Sequence, residues 1–351
     1  MKYNKRQQAI INFARTKELF QTKDVFENIW KDFEVKRLTI VRDLKKLQQE
    51  KVLKQFGSGR SVNYSLSRKY RINETIAVEP YFAIRFQQRE ILPFFNQEIF
   101  DTLSKSIFTT EEIKQLEKEK KHYNKHKNTL SKKSPAILKR EWERLIIELS
   151  WKSSEIEGNT YTLLETEILI KDHQLAKGKN KTEAQMILNH KKALDYIFEY
   201  STYFSIYNEE KVKKMHSILV DGLDIRDDFR NHPVWIGGTL YRPLQKQKDI
   251  SNAMKQLTKL VVDQENPYEK AFIILIMISY IQPFEDGNKR TSRIVSNAIL
   301  YAYNCPMLSY RDVDVIEYKK AALLFYEQNN ISYFKKIFIE QFSFSAYNYF
   351  Q

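Results

Sequence analysis

Residues 271–281, AFIILIMISYI, form an unbroken apolar run of 11, and this run limits the fold more than any other stretch. A membrane-spanning helix takes about 20 apolar residues, so this one is expected to be a core helix covered on all sides. Such a helix needs other helices around it. With 8 Gly and 8 Pro in 351 residues, and long Leu/Ile/Lys/Glu patterns at helical spacing, the chain reads as mainly α. The single cysteine, Cys305, argues against a disulfide framework or a Cys-based zinc cluster and fits a reducing cytosol. The charged start MKYNKRQQAI lacks the apolar stretch of a signal peptide, so a cytoplasmic protein with no membrane partner is expected.

The run leads into QPFEDGNKRTSR (282–293). Pro283 and Phe284 should end the buried helix, and Asp286-Gly287-Asn288 should open the backbone so that the amides of 287–290 converge on an anion. A second helix beginning near Lys289 adds its positive end to Lys289 and Arg290. Arg290, Arg293 and Asn297 fall at i, i+3 and i+7, a polar stripe expected to face the loop, with Ile294, Ala298 and Tyr301 toward the core. Asp286 is placed to hold Mg²⁺ against a polyphosphate. On spacing alone, a nucleotide site and an ordinary basic helix cap are equally good readings.

Charge is uneven. Residues 1–75 carry 18 Lys/Arg against 8 Asp/Glu, a net +10 out of +14 for the chain, which suggests a basic module aimed at a polyanion. Two helical stretches, the second opened by Thr22 as N-cap, precede EVKRLTIVRDLKKLQQEKVL, where Leu38, Val41, Leu44 and Leu47 are expected on one face. VLKQFGSGRSVNYSLS then reads as two strands joined by Gly57-Ser58-Gly59-Arg60. Three helices and a hairpin resemble a winged helix-turn-helix (1–70), with 36–50 as recognition helix and 52–66 as wing. Lys36, Arg37, Thr39, Arg42 and Arg60 are its candidate DNA contacts, protein docking being the alternative. A connector (71–135) follows, including a solvated helix with Thr110 as N-cap. His122 and His126, at i and i+4, lack a third ligand nearby and read as ordinary helix residues.

The loop QPFEDGNKRTSR resembles the signature HxFx(D/E)GN(G/K)RxxR of Fic (Fido) proteins at Phe284, Asp286, Gly287, Asn288, Lys289, Arg290 and Arg293. SSEIEGNTYTLLETE (153–167) is similar to that family's inhibitory helix, (S/T)xxxE(G/N), at Ser153, Glu157 and Gly158. RNHPVWIGGTLYRPL (230–244) resembles its flap hairpin. The resemblance covers about 145–340, within a domain placed at 136–345, and implies a Fic-type helical bundle with a small β-hairpin flap and an inhibitory helix at about 140–158. It further implies adenylyl transfer, AMP from ATP onto a Ser, Thr or Tyr hydroxyl of a protein. In that reading Asp286 positions Mg²⁺, and residues 287–290 hold the α- and β-phosphates. Arg293 meets the γ-phosphate, and Asn288 helps seat the nucleotide. Ile236, Gly237, Gly238, Thr239, Leu240 and Tyr241 present an edge to the target protein. Glu157, aided by Ser153 and Gly158, pairs with Arg293 and holds the enzyme off. Both modules are of kinds that commonly dimerise, so a homodimer is the candidate assembly.

The sequence departs from the signature at its head. Gln282 stands where the family has the His that takes the hydroxyl proton, and it has no titratable site. Impaired transfer with retained ATP·Mg²⁺ binding is expected. A nucleotide-binding pseudoenzyme that regulates transcription through DNA, or acts as a sensor, is the alternative. Lys289 replaces the Gly of many adenylyl transferases and is shared with Doc-type kinases, a minor third reading.

Overall fold

The computed structural model describes residues 3–105 and 107–351, without the side chains of Trp30, Lys31 and Arg60. The chain folds as two compact units, one ending at Thr75 and the other running from Ile76 to Gln351.

In the first unit, α1 (Lys5–Arg15), α2 (Thr22–Phe33) and α3 (Arg37–Gln49) precede an antiparallel hairpin, β1 (Leu53–Phe56) with β2 (Asn63–Leu66), and a short α4 (Arg68–Asn73). Phe20 and Tyr64 exchange backbone hydrogen bonds at 3.0 and 2.7 Å, which ties the α1–α2 connection to the hairpin. Ile10, Ile11, Phe20, Val25, Ile40, Leu44, Leu47, Val52 and Leu66 make an independent core. Thr22 is the first residue of α2 rather than its cap; Asp24 reaches back and accepts from Gln21 N at 2.7 Å. The expected apolar face of α3 also needs correction. Ile40, Leu44 and Leu47 are buried, whereas Leu38 is 69% and Val41 42% exposed. Residues three apart drift round a helix of 3.6 residues per turn, and the i, i+4, i+7 set wins the core.

The second unit contains α5 (Val78–Ala83), α6 (Ile99–Leu103), α7 (Thr110–Lys133), α8 (Pro135–Ile156), α9 (Leu163–Asp172), α10 (Lys181–Glu199), α11 (Glu209–Val220), α12 (Gln247–Asp263), α13 (Pro267–Ile281), α14 (Asn288–Ala302), α15 (Val315–Gln328) and α16 (Ser332–Asn348). The apolar run is the central helix: every residue of α13 from Ala271 to Ile281 is buried, with α12, α14 and α15 packed around it. Among the described residues no helix is long and apolar enough to cross a membrane. Thr109, not Thr110, caps α7; its hydroxyl accepts from Glu112 N while Glu112 accepts from Thr109 N, a complete capping box. Residues 76–105 pack onto this bundle. Phe95 stacks on Tyr280 at 4.8 Å, and buried Glu327 takes hydrogen bonds from Tyr81 Oη at 2.6 Å and Arg89 at 3.2 Å.

Candidate nucleotide site

The loop is shaped by how α13 stops. Gln282 caps the helix in the left-handed region (φ +53°), an unusual conformation for a residue with a side chain. Buried Arg230 holds it there. Its Nε donates to Gln282 O at 2.7 Å and its Nη1 to His232 O at 2.7 Å, Nη2 donates to Leu244 O, and its backbone N donates to Pro283 O at 3.0 Å. A guanidinium at the carbonyl end of a helix opposes the helix dipole favourably. Burial pushes the Arg230 pKa down to about 10, still far above neutral pH, so the group stays charged. Arg230 thus pins both ends of the flap segment to the head of the loop.

Asn288 organises the interior of the loop. Its Oδ1 accepts from Phe284 N at 2.8 Å, and its Nδ2 donates to Phe284 O at 2.9 Å and to Gln282 Oε1 at 3.0 Å. Gln282 Nε2 donates onward to Ser279 O at 2.6 Å. Phe284 is clamped from outside by His216, whose ring stacks on it at 3.6 Å and only 10° from parallel. Gly287 is the N-cap of α14 at φ +76°, and a Cβ there would lie 3.3 Å from His216 Cε1. The first intrahelical bond of α14 runs from Thr291 N to Gly287 O, so the amides of 288–290 are the unsatisfied N-terminal donors of a helix.

Arg290 and Arg293 project beneath that end and are buried. Arg290 donates to Asp286 Oδ2 at 3.2 Å, and the Asp286 carboxylate is itself exposed. Arg293 Nε donates to Ser153 Oγ, its Nη2 to Ser153 O, both at 2.9 Å, and Nη2 also to Glu157 Oε1 at 2.8 Å. Lys289 Nζ stands 3.5 Å from Glu157 Oε2. Burial pushes the Glu157 carboxyl up, but the Arg293 and Lys289 charges outweigh it and hold it below the usual carboxylate range. The Arg293 guanidinium is pushed down by burial and raised on balance by Glu157. Glu157 reaches this position because α8 ends there: Gly158 follows at φ +96°, and Asn159 N returns to Ser154 O at 3.1 Å.

Ser153 is shared with His190, whose Nε2 lies 2.8 Å from Ser153 Oγ while Nδ1 lies 3.0 Å from Met186 O. Burial pushes His190 down to about 3, so it is neutral. With Nδ1 protonated toward the Met186 carbonyl, Nε2 accepts from the Ser153 hydroxyl, which in turn accepts from Arg293. Nothing in the spacing of the chain singles out His190, His216 or Arg230 for these roles.

Two expectations shift. Asn297 does not face the loop; its side chain donates to Leu308 O at 3.0 Å and accepts from Leu308 N at 2.7 Å, a clamp inside the core. The flap turns at Gly237-Gly238, but its arms form no ladder; among the described residues Arg242 instead bridges Phe94 in parallel. Trp235 and Leu240 are exposed and Ile236 is half-buried, while Thr239 and Tyr241 are buried. The Tyr241 side chain is turned into the core, its hydroxyl donating to Tyr280 O at 2.9 Å. Of the DNA candidates in the first unit, Lys36, Arg37 and Arg42 are exposed and Thr39 is half-buried. The side chain of Arg60 lies outside the described residues.

Between flap and loop is a cleft of about 260 Å³ lined by Ile156, Ile236, Gly237, Lys289, Tyr318 and Leu323 among others. Its floor adjoins the arginines: Arg293 lies 5.4 Å from the Tyr318 ring centroid. Arg290 Nη1 and Arg293 Nη1 are both buried with no acceptor among the described residues. Orphaned guanidinium donors beside a helix N-terminus suit a polyanion. Asp286 alone is too few protein ligands for a cation cage, but Mg²⁺ needs only one or two carboxylates with phosphate oxygens and water. The residues therefore fit ATP and Mg²⁺.

This helical arrangement is the Fic fold. A Fic-domain-containing signaling protein from Bacteroides thetaiotaomicron superposes with a TM-score of 0.53 at 20% identity, covering 65% of this chain and 96% of that one. A Fic family protein from Desulfovibrio desulfuricans gives 0.55 at 20% identity, covering 68% and 74%. Residues 206–300, which include the flap and the loop, match the Fic/DOC family. Among curated relatives, a "Protein adenylyltransferase Fic" from Nematostella vectensis is 28% identical over 199 residues, 52% of this chain. The chain spans less than half the length of that relative, 43%.

Proposed function

We propose that the second unit is a Fic-type adenylyl-transfer site held closed by Glu157 and slow in the chemical step because Gln282 occupies the place of the base. The observation that carries this reading is the buried Arg293, bound on one side by Ser153 and Glu157 and left on the other with an orphaned N–H. An anion that replaces the Glu157 carboxylate gains both the released and the orphaned donors.

The amides of 288–290, Arg290 and Arg293 would hold the phosphates, and the cleft beside Ile236 and Tyr318 would take the nucleoside. Asp286 would hold Mg²⁺, which neutralises polyphosphate charge. In the transfer, a target hydroxyl oxygen bonds to the α-phosphorus, the bond to the bridging oxygen breaks, pyrophosphate leaves, and the hydroxyl proton needs an acceptor. Gln282 cannot be that acceptor, and its amide is already engaged by Asn288 and Ser279. The same engagement favours a second reading, a nucleotide sensor with no transfer.

The test is incubation of the Gln282→His/Glu157→Gly chain with ATP labelled at the α- or the γ-phosphate. Protein-bound label from the α-phosphate alone supports adenylyl transfer. Label from the γ-phosphate makes it a kinase. Tight ATP binding with neither label favours the sensor.

A further inference from the structure

The outer face of α3 is unusual for a solvated helix. Leu38, Val41, Arg42, Lys45 and Gln49 are exposed and fall at i, i+3, i+4, i+7 and i+11, a single stripe along one side. Arg37 and Lys46 are exposed beside it. The only acid in the helix, Asp43, points the other way and is buried, bound by the Arg6 guanidinium and by Gln7 Nε2 at 3.0 Å. The stripe therefore offers cations and two large aliphatic side chains, and the one carboxylate of α3 is not on it. Leu38, 69% exposed, and Val41, 42% exposed, adjoin at i and i+3 and so make one apolar patch rather than scattered single side chains.

We propose that α3 enters the major groove of duplex DNA, with Leu38 and Val41 against thymine C5-methyl groups and Arg42 and Lys45 directed to phosphate or guanine edges. Charge complementarity chooses the occupant: the unit holds +10 of the chain's charge, and a polyanion is the partner that this face neutralises. The geometry agrees. The major groove admits one α-helix, thymine is the base that presents a methyl there, and aliphatic side chains read it by contact. Residues at i and i+3 lie about 5–6 Å apart on a helix, so Leu38 and Val41 can meet methyls on neighbouring base pairs. The hairpin behind α3 carries Lys54 over the Phe56 ring at 4.9 Å, and Phe56 is exposed, a second apolar and cationic edge in the wing position. Leu38 and Val41 thus join the cations as contact residues, and their role is independent of the nucleotide site.

The test uses the full chain. Duplexes enriched by the chain from a randomised pool are labelled, and affinity is followed by fluorescence anisotropy from 50 to 200 mM salt. Binding that weakens with salt and enrichment of thymine-containing sites are expected. Replacing those thymines by uracil, which removes only the methyl, should weaken binding about fourfold per contacted methyl, the value of one buried carbon. Leu38→Ser/Val41→Ser should erase the thymine–uracil difference, and Arg42→Ala/Lys45→Ala should flatten the salt dependence by about two phosphate contacts. Both pairs are exposed, and unchanged thermal melting checks that they fold. The uracil arm uses the unaltered chain, so it stands if a variant misfolds. No duplex binding at 50 mM salt, no enrichment, or equal affinity for thymine and uracil sites overturns the proposal. Capture of a protein through α3 without DNA binding also overturns it.

Discussion

Asn288 Nδ2 donates to Gln282 Oε1 at 3.0 Å, which ties the first residue of the loop to the first residue of the helix that follows. The contact gives Gln282 a structural task that needs no titratable group. It also points to the first test. Gln282→His should raise α-phosphate transfer by about 10²–10⁴-fold, the usual contribution of a general base, with ATP affinity changed little. Initial rates of labelled AMP incorporation measure it, best in the Glu157→Gly background. Equal rates with Gln and His would mean that proton transfer at this position does not limit the reaction.

Gly287 holds φ +76°, and a methyl there would come within 3.3 Å of His216 Cε1. Gly287→Ala should therefore destabilise the second unit by about 1–2 kcal/mol and weaken ATP binding, since the amides beyond it would shift. Urea unfolding and calorimetric titration with ATP·Mg²⁺ read the two effects. Unaltered affinity would remove the amides of 288–290 from the phosphate site.

Arg230 satisfies the carbonyls of Gln282, His232 and Leu244 from one guanidinium. Lysine cannot span that geometry. Arg230→Lys should cost about 3 kcal/mol, because at least one buried carbonyl loses its donor and each such loss is worth about 1–3 kcal/mol. The same variant should raise proteolytic cleavage within 231–244. Resistance equal to the unaltered chain would show that the flap is held by other contacts.

Acid should unfold the second unit early. An unfolded histidine protonates near pH 6.5, whereas burial holds His190 to about 3 and His216 to about 4. Between those values the unfolded chain binds more protons. Stability is therefore full above about pH 6.5 and falls on acidification by up to about 1.4 kcal/mol per pH unit for each histidine. Glu157, held below the usual carboxylate range, acts in the same direction at lower pH: its contribution is present above its unfolded pKa and is lost as pH falls through the folded one. Denaturant unfolding at pH 7.5, 6 and 5 checks this, and a constant free energy over that range would contradict it.

How legible this was in the sequence differed by element. The apolar run 271–281 pointed to a buried helix, while the residues after it suited an anion loop and an ordinary basic helix cap equally until the resemblance favoured the first. Local chemistry also marked the hairpin at Gly57–Arg60. What the sequence could not convey was side-chain direction. Three-residue spacing made Leu38 and Val41 look like core, whereas a helix of 3.6 residues per turn carries them to another face; Asn297 shares a face with Arg290 but lies two turns further along α14, where Leu308 rather than the loop meets it. Arg230, His190 and His216 were invisible for a different reason. Each acts through a partner 37 to 75 residues away, across helices whose packing fixes the contact. The hairpin expected of the flap came from the resemblance of residues 230–244 alone; Arg242 pairs with Phe94 instead, a segment outside that resemblance.

The most direct measurement is calorimetric titration of ATP·Mg²⁺ into the unaltered chain and into Glu157→Gly, beside the thermal midpoint of each. Glu157 Oε1 occupies Arg293 at 2.8 Å, and its removal leaves a buried guanidinium without its carboxylate. The expected result is a lower midpoint for unliganded Glu157→Gly, ATP affinity at least tenfold tighter than in the unaltered chain, and a midpoint restored by ATP. Equal ATP affinity in the two proteins, or a Glu157→Gly midpoint that ATP leaves unmoved, would contradict a site closed by Glu157.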